Sequence, residues 1–220
     1  MFILNGKLIV IEGSDGSGKA TQTKKLFERL ISENHAVKKI SFPNYNSNSS
    51  ALIKMYLNGD FGTHADDVDP YAASTFYAVD RYASYRTEWK KFFEDDEIIL
   101  GDRYTTSNMI HQAVKIADNF EREKFLEWLD DFEFVKLKLP RPDLVIFLNM
   151  PPNVSEKLIK ERNRNDIHEK DFDYLRRCYS AYNELTKKFG WIKINCSDND
   201  SPRSIEEIHE NIFNVVRKIL

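Results

Sequence analysis

The segment LIVIEGSDGSGKAT, residues 8–21, constrains this chain more than any other stretch. Its first five residues, four of them apolar, read as a buried strand. Gly13, Gly16 and Gly18 then let the backbone fold tightly enough for its N–H groups to converge on phosphate oxygens. A helix starting at Lys19 adds its positive end, and the Lys19 ammonium can reach a transferred phosphoryl group. A glycine turn that only joins a strand to a helix is the plainer alternative. A strand, a six-residue loop, Gly-Lys and an amphipathic helix in that order point instead to a mononucleotide site. Its residues are Gly13, Ser14, Asp15, Gly16, Ser17, Gly18, Lys19, Ala20 and Thr21.

Two of these positions are unusual. The residue after the lysine should carry a hydroxyl that ligates Mg²⁺, and here it is Ala20. Thr21 sits one residue further along the helix, about 100° away, so it is no simple substitute. Either phosphates, water and a nearby carboxylate hold the metal, or catalysis has been lost; the completeness of the remaining apparatus favours the first. Asp15 places a carboxylate inside a phosphate cradle, where the ligand repels it unless it has another task. It could accept a hydrogen bond from a sugar hydroxyl or help hold the metal.

The chain has 220 residues, which suits one α/β domain with a modest lid. Lys and Arg total 32 against 35 Asp and Glu, and a net charge of -3 argues against a nucleic-acid binder. Cys178 and Cys196 lack metal-ligand spacing and read as reduced thiols. The apolar stretch 8–11 runs straight into the glycine loop, so no signal peptide is expected. No apolar run approaches the roughly 18 residues of a spanning helix. A cytoplasmic protein without membrane association is the expectation. The five histidines are scattered, and no Ser-His-Asp or Cys-His grouping offers a covalent mechanism.

Buried strands are predicted at residues 7–12, 98–102, 144–149 and 191–195, with a weaker one at 37–42 interrupted by two lysines. Helical patterns cover 19–33, 70–93, 152–162, 171–189 and 204–219, the last opening on a capping box of Ser204 and Glu207. This alternation predicts a doubly wound α/β sheet with ligands outside the carboxyl ends of its strands. Two further motifs fall there. GDRY, residues 101–104, offers Asp102 to orient Mg²⁺ or its water and Arg103 to grip a phosphate, although a structural ion pair is the simple alternative. FYAVDRYASYR, residues 76–86, puts Tyr77 and Arg81 on one helix face. A ring beside a guanidinium can stack a base and bond its edge; alone, such a pair is more often packing plus a surface charge.

Taken together, IEGSDGSGK, FPNY at 42–45, FYAVDR and GDRYTTSN resemble the thymidylate kinases in order and spacing over nearly the whole chain. The resemblance implies a P-loop NTPase-like parallel five-stranded sheet flanked by helices, in a single domain over 1–220 with a lid near 160–170. It implies transfer of the γ-phosphoryl group of ATP to dTMP, with Mg²⁺ as cofactor, and a homodimer. Carried over by motif, Asp15 would meet the sugar 3′-hydroxyl, Tyr77 would stack on thymine, Arg81 and Asn108 would bond the base, and Arg103 would hold the acceptor phosphate. Phe42, Pro43 and Tyr45 would line the acceptor loop. His111 stands where the family usually has an aromatic ring against the deoxyribose. In KERNRND, residues 160–166, Arg162 and Arg164 would neutralise the transferring group, a solvated charged loop being the alternative. A kinase for another nucleotide or a deoxynucleoside, and a silent nucleotide-binding module, are the rival readings.

Overall fold

A computed structural model describes residues 6–160 and 171–220. Its frame is a parallel sheet of β1 (Leu8–Gly13), β2 (Val37–Ser41), β3 (Ile98–Asp102), β4 (Leu144–Asn149) and β5 (Ile192–Asn195), in the spatial order β2-β3-β1-β4-β5. Every residue of β1 is buried, as befits a central strand covered on both faces. All five expected strands are present within a residue or two of their predicted bounds.

Pleating sends alternate β1 residues to opposite faces. Ile9 and Ile11 join one core with Leu26 and Leu30 of α1 (Lys19–Ser32), and with Ile208, Ile212 and Val216 on a later helix. Leu8 and Val10 face the other way, onto Trp89, Phe93 and Tyr104. The order of strands matters for function. From β1 the chain crosses to β2 at the sheet edge and then returns to β3 beside β1, so a crevice opens above the paired ends of β1 and β3. The register Ile11↔Asp102 fixes that pairing.

Three helices lie where no helical pattern was expected: α2 (Ala51–Asn58), and, after β3, segments at Thr105–His111 and Asn119–Asp130. The first two are at most eight residues long, too short to display a full amphipathic period. The expected long helix 70–93 is three pieces: α3 (Pro70–Ser84), a π-helical turn at Tyr85–Trp89 and α4 (Lys90–Glu94). The remaining helices, in chain order, are α5 (Thr105–His111), α6 (Asn119–Asp130), α7 (Pro152–Lys160), α8 (Phe172–Phe189) and α9 (Ile205–Val216). Ser204 and Glu207 form the expected capping box at the start of α9. Arg162 and Arg164, the arginines expected in the lid, lie outside the described residues. Among those residues no helix is long and apolar enough to cross a membrane.

Candidate active site

The loop after β1 closes into a cradle because its backbone takes conformations open to glycine. Gly16 has φ 78°, and a Cβ there would sit 2.8 Å from the Ser155 carbonyl oxygen on α7. Gly18, at φ 85°, caps α1 and releases the chain into the helix. Within the loop the Lys19 ammonium donates to the Ser14 carbonyl at 2.9 Å and lies 3.7 Å from Asp15 Oδ1. Burial pushes the Lys19 pKa down to about 8; Arg103 adds to the fall, while Asp15, Asp102 and Glu12 oppose it.

Arg103 follows β3 with φ 67°, a left-handed turn that costs a residue with a side chain on the order of 1 kcal/mol. Its own N–H bonds the Ile11 carbonyl at 3.1 Å, which fixes the turn against β1. The guanidinium thereby swings over the phosphate loop. It donates from Nη2 to Asp15 at 2.6 Å and lies 3.1 Å through Nη1 from His111 Nε2. Burial alone would lower the Arg103 pKa, but Asp15, Tyr182, Glu12 and Asp102 outweigh it and hold it well above its usual value. The Asp-Arg pair of the motif is thus not an ion pair with itself: Arg103 binds Asp15. No described side chain hydrogen-bonds the Asp102 carboxylate, which faces the same cavity as Lys19.

These groups line a cavity of about 330 Å³ that runs from the phosphate loop to α3 and α5. Asp15, Gly16, Ser17, Gly18, Lys19, Ala20 and Thr21 of the phosphate loop line it, as do Asp102 and Arg103. Gly13 and Ser14 are buried and do not line the cavity. Ala20 and Thr21 are both exposed. Phe42, Pro43, Tyr45, Tyr77, Arg81, Asn108 and His111 line the same cavity, so the residues read as an acceptor site from separate motifs do meet in one place. A cis peptide joins Phe42 to Pro43. Buried Asp80 holds the following loop by accepting from the Asn44 N–H at 2.8 Å and Ser49 Oγ at 2.6 Å.

The sequence did not reveal what holds these groups. Arg81 is 1% exposed and is gripped by the fully buried Glu133, Nε to Oε2 at 2.7 Å and Nη2 to Oε1 at 2.5 Å. A guanidinium carries five N–H groups, so this pair and a 3.4 Å contact to the Tyr104 carbonyl do not exhaust it. Asn108 Nδ2 also points to Glu133, 3.2 Å, and to the Ser74 carbonyl, which leaves its Oδ1 as the acceptor toward the cavity. Glu12 is equally buried, and accepts from Thr106 Oγ1 at 2.6 Å, Ser107 Oγ at 2.9 Å and the Tyr182 hydroxyl at 3.0 Å. Its signal was present as the one charge in LIVIE. Gln112 lines the cavity fully buried, and neither atom of its side-chain amide has a partner among the described residues. No pattern in the sequence marks it.

A glycine cradle on the central strand, facing an arginine at the neighbouring strand end across a second pocket, defines a P-loop phosphotransferase with a separate acceptor site. The particular family follows from comparison: a sequence model described as thymidylate kinase matches residues 11–212, and the chain belongs to the thymidylate kinase family. The thymidylate kinase of Mycobacterium tuberculosis (strain CDC 1551 / Oshkosh) is 33% identical over 195 residues, covering 84% of this chain and 87% of that protein. Those of Caldicellulosiruptor saccharolyticus and Homo sapiens are each 26% identical; the first covers 99% of this chain and 98% of its own, the second 94% and 88%. The family comprises ATP-dependent nucleoside monophosphate kinases that phosphorylate dTMP.

Two outcomes test this geometry. Removing Glu133 strands a buried guanidinium, so Glu133→Ala is expected to cost about 3–5 kcal/mol in urea unfolding; a loss near zero would mean that the pair does not anchor Arg81. The second concerns Lys19. Unfolded, this lysine keeps its proton to about 10.5, and folded to about 8. Between those values the unfolded chain binds more protons, so rising pH stabilises the free protein. Polyphosphate binding needs the ammonium, so ATP affinity should fall about tenfold per pH unit above 8. Calorimetric titration between pH 7 and 10 measures this, and a flat profile would remove the role given to Lys19.

Proposed function

We propose that this chain transfers the γ-phosphoryl group of ATP to dTMP, giving ADP and dTDP, with donor and acceptor bound at the two ends of the one cavity. The observation that carries the reading is Arg103: a half-buried cation held beside the phosphate loop by Asp15 through one terminal nitrogen and against His111 through the other, where it can fix a second phosphate in line with the first. An acceptor phosphate oxygen is already an anion near neutral pH, so no general base is required. Catalysis then rests on positioning and charge neutralisation.

Lys19 and the loop N–H groups clasp the ATP phosphates. Asp15 anchors Arg103 and accepts from the sugar 3′-hydroxyl. Tyr77, half-buried and edge-on to Tyr56 at 6.5 Å, offers its face to the base. Arg81, locked by Glu133, and Asn108 Oδ1 bond the base edge, and the unpartnered amide of Gln112 supplies a further donor and acceptor there. Phe42, Pro43 and Tyr45 close the acceptor side. Magnesium bound with ATP would neutralise phosphate charge. Asp102, which lines the cavity and makes no side-chain hydrogen bond among the described residues, would hold the ion directly or through water. With Ala20 in place of a hydroxyl, phosphate oxygens and water would make the remaining contacts. Arg162 and Arg164, which lie outside the described residues, would neutralise the transferring group.

We further infer a homodimer. Leu52 and Met55 on α2, and Val79 and Tyr82 on α3, expose large apolar side chains, Val79 to 53%. The nucleotide substrates and two buried free thiols fit a cytoplasmic setting.

The decisive assay is a panel of nucleosides and monophosphates with ATP and magnesium, scored by ADP release. dTMP should be the preferred acceptor; turnover of another acceptor in its place, or of none, would sink the proposal. Arg103→Ala should raise KM for dTMP at least tenfold while moving KM for ATP far less. Equal effects on both substrates would take Arg103 out of the acceptor site. Sedimentation at micromolar concentration should give twice the chain mass, falling to one chain in Val79→Asp, and a monomeric wild type would refute the dimer.

A further inference from the structure

His111 lies on the last turn of α5, 8% exposed, at the acceptor end of the cavity. Its two ring nitrogens have opposite tasks, and their partners decide which carries the proton. Nε2 lies 3.1 Å from Arg103 Nη1. A guanidinium has no acceptor and stays charged, so Nε2 must be the acceptor and the ring must be neutral on that side. The proton therefore sits on Nδ1. There the Tyr174 hydroxyl oxygen is 3.3 Å away and Cys178 Sγ 3.5 Å. Tyr174 gives its own proton to the His111 carbonyl at 2.8 Å, so its oxygen is left to accept from Nδ1. Burial pushes the Cys178 thiol up to about 12, so no thiolate competes for that proton.

The result is a directed chain from α8 through α5 to Arg103. Asp15 holds one terminal nitrogen of the guanidinium at 2.6 Å; His111 and, more weakly, Ser107 at 3.4 Å hold the other. With one anchor a guanidinium can pivot about the bond; with anchors on both terminal nitrogens its plane is set. A phenyl ring packed at this position could fill the space but offers Arg103 no lone pair to accept its N–H.

We propose that His111 is a positioning residue acting through Arg103: as a neutral acceptor fixed by Tyr174, it orients the guanidinium for the acceptor phosphate. This rests on the reading of Arg103 as the acceptor-phosphate ligand. It makes a claim that simple packing against a sugar does not, because dTMP and thymidine share the sugar and base and differ only in the phosphate.

The test compares binding of dTMP and of thymidine by calorimetric titration in wild type, His111→Phe and His111→Gln, with ATP saturation followed in parallel. His111→Phe keeps a ring and removes the acceptor; His111→Gln keeps an acceptor on a similar reach. Loss of a hydrogen bond to a charged group predicts that dTMP binding weakens roughly tenfold in the Phe variant. Thymidine binding and KM for ATP should stay within about twofold, and the Gln variant should recover most of the loss. In an Arg103→Ala background the His111→Phe effect should vanish. The thymidine measurement also reports a folded pocket. Thymidine weakened as much as dTMP, a Gln variant no better than Phe, or an undiminished effect without Arg103 would each overturn the proposal. If wild type held thymidine as tightly as dTMP, the acceptor-phosphate reading itself would fall and take this one with it.

Discussion

The site depends on one buried carboxylate. Glu12 occupies the central strand with no solvent exposure, and a bare carboxylate there would cost more than the strand's apolar neighbours could offset. Its cost is met by Thr106 and Ser107 on α5 and Tyr182 on α8, each donating to it. Satisfying Glu12 therefore specifies where α5 begins and how α8 lies across it. Arg103 leaves β3 immediately before that helix. The left-handed turn at Arg103, its bond to Ile11 and the aim of its guanidinium all follow from a helix that must start where Glu12 needs its hydroxyls.

A second buried acid repeats the logic at the acceptor end. Glu133 ties Arg81 of α3 and Asn108 of α5 to the π-helical turn that follows α6, so two residues that would read a base are set by a group that never touches it. Asp80 does the same for the loop after Phe42-Pro43. The cavity is thus walled by polar side chains whose orientation is settled before any ligand arrives, which is what electrostatic catalysis requires.

Much of this frame was legible in the sequence. The strands are continuous apolar runs, and the phosphate loop, GDRY and the Tyr77–Arg81 pair carry their chemistry in local spacing, so their convergence followed once the strand order was granted. Short helices such as α2 and α5 show less than a full period and left no pattern. The supporting acids were out of reach for another reason. Glu12 meets Tyr182 across 170 residues and Arg81 meets Glu133 across 52, and single-chain spacing says nothing about pairs that only folding brings together. The motif alone offers an Asp102–Arg103 ion pair as its simple alternative; sheet register instead delivers Arg103 to Asp15 on the loop after β1.

That carboxylate has a consequence for the resting protein. With Asp15 lying against both Arg103 and Lys19, the cleft carries its own counter-ion beside its two cations. A stray inorganic anion would have to displace an internal partner to settle there, with only its charge to offer in exchange. A nucleotide brings a sugar and a base besides, and so offers the cleft several kinds of contact where a simple ion offers charge alone.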